Sequence, residues 1–301
     1  MTMHPKESRY GRREFLGRSA VGLVGISSLS AFLAACGGGS DAAGDLQLAS
    51  PGNPVLQPLF DDNPAIESGL EPESGTLRIY NWSGYLWPRI KRDFAKEYGV
   101  KVEETFFSTT DEAVAKIASG AVSFDVFFPT NDRIGRLVAG KALQPLNHEY
   151  IPNLTNVWPS IQDPWYDRES RYTVPYTTWT TGIGYRADKI TTRPESRSNP
   201  YEIYWEEAAN GRVYLLDDSR DAPAHMLLKN GIMDVNTEDP EHIELAKEEL
   251  KSLIDAVRVK LSTDDYTNVP EGKAWVHQMW SGSAIGAQWY LPEGTGPEAI
   301  G

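Results

Sequence analysis

From Thr76 onward the chain changes its period every few residues, and this alternation restricts the fold more than any other feature. Leu77–Tyr80 has strand character. Residues 88–98 place Pro88 in a first helical turn, set Ile90 and Phe94 on one face, and stop at Gly99. Val100–Phe107 returns to strand chemistry, Asp111–Ser119 to a short helix halted by Gly120, and Phe124–Phe128 to an apolar strand. Such a series predicts a parallel sheet covered by helices. The pattern resumes with a strand at Val213–Leu216, a helix at Ala222–Lys229 and a long amphipathic helix at Asp239–Val257. In the last of these Ile243, Ala246, Leu250, Leu253 and Val257 recur at helical spacing. Between the two series lies "YTVPYTTWTTGIGYRAD", Tyr172–Asp188, an extended Thr- and Gly-rich stretch suited to crossing between lobes. A chain of 301 residues suffices for two such lobes, and no repeat of 20–50 residues is present.

The N-terminus has a different chemistry. Residues 1–18 hold five basic side chains against two acids, whereas the whole chain carries −13, leaving −16 on the remainder. A surface of that sign repels nucleic acid and anionic lipid and favours cationic ligands. "GRREFLGRSAVGLVGISSLSAFLAAC" joins a basic region to a moderately apolar stretch, Ala20–Ala35, that is too short for a bilayer-spanning helix. Arg12-Arg13 followed by Phe15-Leu16 resembles a twin-arginine export signal, and Leu33-Ala34-Ala35-Cys36 resembles a bacterial lipobox. Cys36 is the only cysteine, so no internal disulfide forms; it reads as a lipidation site, with a stray thiol beside an ordinary signal peptide as the alternative. After it "GGGSDAAGD" and a Pro- and Gly-rich run to Gly75 have tether chemistry, although Val55, Leu56, Leu59 and Phe60 could dock on the body. The expected divisions are therefore 1–35 signal peptide, 36–75 tether, 76–180 first lobe, 181–284 second lobe, and 285–301 a crossing back to the first.

In parallel α/β sheets, ligands gather where loops leave the carboxyl ends of strands. Three exits stand out: Asn81-Trp82-Ser83-Gly84-Tyr85, then Pro129-Thr130-Asn131-Asp132, then Asp217-Asp218-Ser219-Arg220-Asp221. "MWSGSAIG" adds Trp280, read as the start of the return crossing. Together they offer flat rings, hydroxyls and carboxylates, a combination that suits an organic cation with an apolar body. Rings attract the charge and stack on the methylenes, while carboxylates accept charge-assisted hydrogen bonds. Each exit also has a purely structural reading. Asp217 or Asp218 suits a cap on the helix that follows. Trp82 and Tyr85 suit packing under a neighbouring loop, and Arg220 suits neutralising the acids.

The sequence offers little for an enzyme. The five histidines form no His-Glu-x-x-His pair, "WSGSAIG" is not a Gly-x-Ser-x-Gly turn, and the glycine cluster Gly37–Gly39 follows no strand. His225 in "APAHMLLKNG" reads as a helix-face histidine rather than a ligand.

Leu77–Tyr85, Asp125–Thr130, Val174–Gly184, Asp217–Asp221 with its helix, and Met279–Ala284 occur in an order and spacing that resembles the periplasmic spermidine/putrescine-binding proteins of ABC transporters. The resemblance runs from about residue 76 to the end. It implies a two-lobed type II periplasmic-binding-protein fold, each lobe a mainly parallel sheet flanked by helices, with a polyamine in the cleft. It implies no enzyme activity, no cofactor, no metal and no nucleic acid. The expected partners are a polyamine and the permease subunits, and the expected state is a monomer anchored outside the cytoplasmic membrane through Cys36. By position, Trp82, Ser83 and Tyr85 match the first-lobe wall, Thr130 a hydroxyl position, Asp218 and Asp221 an acidic pair, and Trp280 an aromatic that stacks on the polyamine. The chain departs from the pattern at Gly84, where an acid is common, and at Asp132, where a tyrosine is familiar, so total charge is kept while its spacing changes. Another small solute, or hydrolysis with Asp218 or Asp221 as acid–base group, are the alternatives. The last residues, "LPEGTGPEAIG", are turn-rich, and the resemblance leads one to expect further first-lobe elements after them.

Overall fold

The computed structural model describes residues 49–301. Arg12, Arg13 and Cys36 lie outside the described residues. Two compact units divide the chain, the first ending at Tyr176 and the second running from Thr177 to Gly301. The boundary falls four residues before the expected 180–181.

In the first unit β1 (Thr76–Trp82) is central, with β2 (Lys101–Phe107) and β3 (Val126–Phe127) on its two sides, all parallel. Helix α1 (Pro88–Tyr98) joins β1 to β2, starting on Pro88 and ending where Gly99 takes the left-handed φ of 65°. Helix α2 (Thr110–Ala118) follows β2; the Thr109 hydroxyl accepts the Glu112 N–H and so supplies its N-terminal cap. The third strand is shorter than the expected 124–128. Asp125 and Phe128 still bond the β1 backbone, but the Asp125 side chain also takes the Arg78 N–H at 2.7 Å, and regular pairing stops. Tyr80, Phe107 and Ala113 form the buried centre of this sheet, with Phe124, Phe127 and Trp82 packed around it. Helix α3 (Ile134–Ala139) contributes Ile134 and Val138 to a separate cluster with Tyr172 and Phe60.

Part of the segment expected as tether is docked. Val55 is buried and pairs its backbone with Trp165 and Arg168. Gln57 donates to the Tyr166 carbonyl at 2.8 Å, the Tyr172 hydroxyl to Pro58, and Asn63 to Leu143. Leu56 and Leu59 remain exposed.

The second unit has a four-stranded sheet in the order β4 (Thr181–Tyr185), β7 (Val276–Trp280), β5 (Val213–Leu215), β6 (Lys260–Leu261). β5 runs parallel to β6 and β7, whereas β4 is antiparallel to β7. At Gly184 the two strands approach so closely that a Cβ would stand 2.4 Å from the Met279 sulfur, so no larger residue fits there without a shift. Helices α4 (Asp221–Lys229) and α5 (Pro240–Val257) cover the sheet. Their buried Met226, Leu227, Ala246, Leu253 and Val257 meet Val213, Leu215 and Val276 in one core. Asp239 caps α5, accepting from the Glu241 N–H, as the Asp-Pro start suggests. A short helix α6 (Asp265–Asn268) precedes β7 and α7 (Ser281–Ala287) follows it.

Two expectations are corrected here. Trp280 does not begin a crossing: it ends β7 and directly precedes α7. Residues 285–301 pack within the second unit, where Gly301 exchanges backbone hydrogen bonds with Tyr185 and the Ala299 carbonyl takes the Ala187 N–H.

Candidate functional site

In a parallel sheet all strand exits share one end, so the first unit gathers three loops there: 82–87, 108–110 and 128–132. The gathering is visible in the contacts. The Trp82 indole N–H donates to the Phe128 carbonyl at 3.0 Å, and its ring meets Phe107 edge-on at 4.5 Å and Tyr85 at 6.2 Å. Trp82 and Tyr85 are half-buried and Ser83 is exposed. Gly84 has a φ of 78°, a left-handed conformation that a side chain would strain, so the loop as built disfavours an acid there. Tyr176 donates to the Tyr85 carbonyl at 2.8 Å and packs edge-on against Phe128 at 5.2 Å. Tyr176 follows Pro175 in an extended stretch, and nothing local in the sequence signals this contact.

Thr130 and Asp132 lie in the third loop, and their side chains are engaged. The Thr130 hydroxyl donates to Asp132 and lies 3.3 Å from that of Thr110. The other Asp132 oxygen stands 3.3 Å from Arg133 Nε, and the Arg133 fork reaches Asp111 at 2.7 Å. Arg133 is nearly buried, so the charge that Asp132 brings is met by a fixed neighbour.

In the second unit the exits of β5, β6 and β7 lie at one end. Antiparallel β4 places its start, Thr180 and Thr181, there too. Asp218 serves the structural role: one carboxylate oxygen accepts the N–H groups of Arg220 at 2.8 Å and Asp221 at 3.0 Å, closing the turn into α4. Asp217 is exposed. Asp221 is the carboxylate tied to the ring. Its Oδ2 accepts the Trp280 indole N–H at 2.9 Å and its Oδ1 the Thr181 hydroxyl at 3.2 Å. Buried Gln278 bridges the two neighbouring loops, taking the Leu216 N–H at 3.2 Å and donating to the Asp221 carbonyl.

Asp265 is fully buried and accepts the backbone N–H groups of Trp280 and Tyr266, both at 3.0 Å, and a bond from Ser283. Burial raises its pKa from 3.8 to about 6 despite these donors. In "STDDYTN" the residue looks like an ordinary helix-start acid, so neither Asp265 nor Gln278 was legible. His225 is a core histidine, with Nδ1 2.7 Å from the Tyr204 hydroxyl and its pKa lowered by burial to about 4. Among the described residues no cluster of His, Cys, Asp and Glu could hold a metal ion, and no helix is long and apolar enough to cross a membrane.

The family model described as bacterial extracellular solute-binding protein matches residues 89–300. The chain belongs to that family. It is a family of binding proteins rather than enzymes, which sets the hydrolase alternative aside. The spermidine/putrescine-binding periplasmic protein of Escherichia coli strain K12 is 28% identical over 219 residues, covering 72% of this chain and 61% of the relative. This chain thus spans about three-fifths of that relative's length. Among solved structures, the spermidine/putrescine transporter substrate-binding protein of Streptococcus pneumoniae is similar with a TM-score of 0.58 at 21% identity, covering 75% of this chain and 67% of that one. A lipoprotein of Treponema pallidum reaches 0.63 at 22% identity, covering 75% and 69%. These two likenesses speak for the fold, which is that of the periplasmic binding proteins.

Proposed function

We propose that this chain is the solute receptor of an ABC importer and that its solute is a polyamine, spermidine or putrescine. The observation that carries the reading is the joined pair in the second unit, where an indole ring and a carboxylate share one hydrogen bond. A flexible carboxylate beside a loose tryptophan would be an accident of the surface. Asp221 held at 2.9 Å from the Trp280 indole nitrogen is a fixed charge at the edge of a fixed aromatic ring. A carboxylate has about four lone-pair sites, so it can take an ammonium in addition to the donors of its own unit. An ammonium near the ring gains about 0.5–2 kcal/mol more by cation–π attraction. Trp82 and Tyr85 supply the aromatic surface of the first unit's loops, suited to a methylene chain, and Ser83 and Thr130 are their hydroxyl neighbours.

In this reading solute binding shifts the population toward the form that a permease recognises. The receptor acts as a monomer. The similarity to named polyamine-binding proteins supports the solute class. Titration calorimetry with spermidine, putrescine and a monoamine of equal length tests it. Binding of either polyamine without turnover is expected; heat from neither overturns the reading.

A second reading, a solute with one amine, has a specific observation in its favour. Asp132 is matched by Arg133 and Gly84 carries no acid, which leaves the first unit's loops poorer in negative charge than the family pattern. Stronger binding of the monoamine in the same titration would select it.

We propose further that the chain is exported and lipid-anchored at Cys36. Its position directly after an apolar stretch, in a lipobox-like Leu33-Ala34-Ala35-Cys36, supports this. Two or more acyl chains anchor stably, whereas one is marginal.

A further inference from the structure

Trp280 is pinned at two points by two carboxylates from different loops. Its indole N–H goes to Asp221 on α4, and its backbone N–H goes to Asp265 at the start of α6. The second pin is unusual in chemistry. A strand-to-helix junction needs an acceptor for its free N–H groups, and a serine or threonine hydroxyl would supply one at little desolvation cost. Here a fully buried carboxylate does it, at the cost of removing a charge from water, and the donors that hold it, the N–H groups of Trp280 and Tyr266 and Ser283, are neutral. What the carboxylate provides is reach. Oδ1 accepts Tyr266 N–H from its own turn, while Oδ2 accepts Trp280 N–H at the end of β7, and Ser283 on α7 bonds the same group. One rigid group thereby ties a loop, a strand end and a helix start.

We infer that Asp265 is a positioning residue for solute binding: it fixes the backbone of Trp280, so that the indole ring meets Asp221 in the geometry that receives the cation. The inference rests on the solute reading of Trp280 and Asp221. Nothing in it requires Asp265 to touch the solute, and its burial excludes such contact. The indole bond to Asp221 restrains the far end of the side chain only. Without the backbone pin the ring turns about that bond, and the cation–π and stacking contacts depend on ring orientation.

The test is a double-mutant cycle on polyamine affinity in the full chain, using Asp265→Asn and Trp280→Ala singly and together, with the exposed neighbour Asp264→Asn as control. An asparagine keeps the shape but must turn its amide toward one of the three donors. Asp265→Asn is expected to weaken binding about ten- to hundredfold, the equivalent of one hydrogen bond to a charged acceptor. In the Trp280→Ala background it should change affinity little, and Asp264→Asn should bind as the parent does. Parental affinity in a folded Asp265→Asn, or an equal loss in both backgrounds, overturns the inference. Should Asp265→Asn fail to fold, Ser283→Ala replaces it. A smaller loss confined to the Trp280-containing protein supports the role, and no loss overturns it. If the parent binds no polyamine, the proposed function fails, and the positioning role is read in solute-free protein. With 15N-labelled tryptophan, the indole resonance that disappears in Trp280→Phe is expected to move in Asp265→Asn. An unmoved resonance overturns the inference.

Discussion

Replacing Asp221 by asparagine separates charge from shape. Within its own unit the carboxylate accepts the Trp280 indole N–H at 2.9 Å and the Thr181 hydroxyl at 3.2 Å. An asparagine can satisfy both, because its carbonyl accepts from the indole while its amide donates to the hydroxyl oxygen. The junction of α4 with β7 should therefore keep its geometry, and the melting temperature should change by no more than about 1 kcal/mol of stability implies. A solute ammonium loses its charged partner outright. Removing one member of a buried charge pair costs about 2–5 kcal/mol. A receptor with a dissociation constant of about 1 μM, or roughly −8.2 kcal/mol, should fall to about 30 μM or weaker. Calorimetric titration with spermidine and putrescine measures this, with a melting curve of the same preparation as control for folding. Unchanged affinity in a protein that melts like the parent would show that Asp221 does not hold the cation, whatever its tie to Trp280.

Three further expectations rest on buried groups, an ion pair and the N-terminal sequence. Burial lowers the pKa of His225 and His277 from 6.5 to about 4, so each contributes stability that is complete above pH 6.5 and is lost as pH falls toward 4, about 3 kcal/mol apiece. Asp265, raised to about 6, works in the opposite sense: its contribution is present below pH 3.8 and lost as pH rises through 6. Urea unfolding between pH 4 and 6.5 should therefore show net acid destabilisation that steepens in Asp265→Asn; a flat profile contradicts the burial of the histidines. Arg133→Gln removes the fixed cation beside Asp132 and should strengthen diamine binding relative to monoamine, by up to about tenfold; an unchanged ratio in paired titrations would leave Asp132 outside the solute's reach. Cys36→Ser should move the protein from the membrane to the soluble fraction, and retention with residues 1–35 still attached by mass spectrometry would refute the lipid anchor.

Much of this protein follows from local pattern alone. Period and punctuation define α1, whose Pro88 start and Gly99 stop fall where the structure has them, and the Asp-Pro opening of α5 does the same. Because strands followed by helices imply parallel pairing, the sequence alone places the exits carrying Trp82, Thr130 and Asp221 at sheet ends. Local pattern does not reveal which acid closes a turn, which meets a cation and which is tied to a ring. Asp218 closes a turn with its neighbours at 220 and 221, Asp132 faces Arg133, and Asp221 meets a ring 59 residues away. Nor does it place β4 antiparallel beside β7, which brings Thr181 to that carboxylate, or Asp265 beneath the Trp280 backbone. The physical reason is range. Periodicity and capping are decided among residues a few positions apart, whereas the partner of a carboxylate depends on strand order and on which loops the packed core brings to the same end of the sheet.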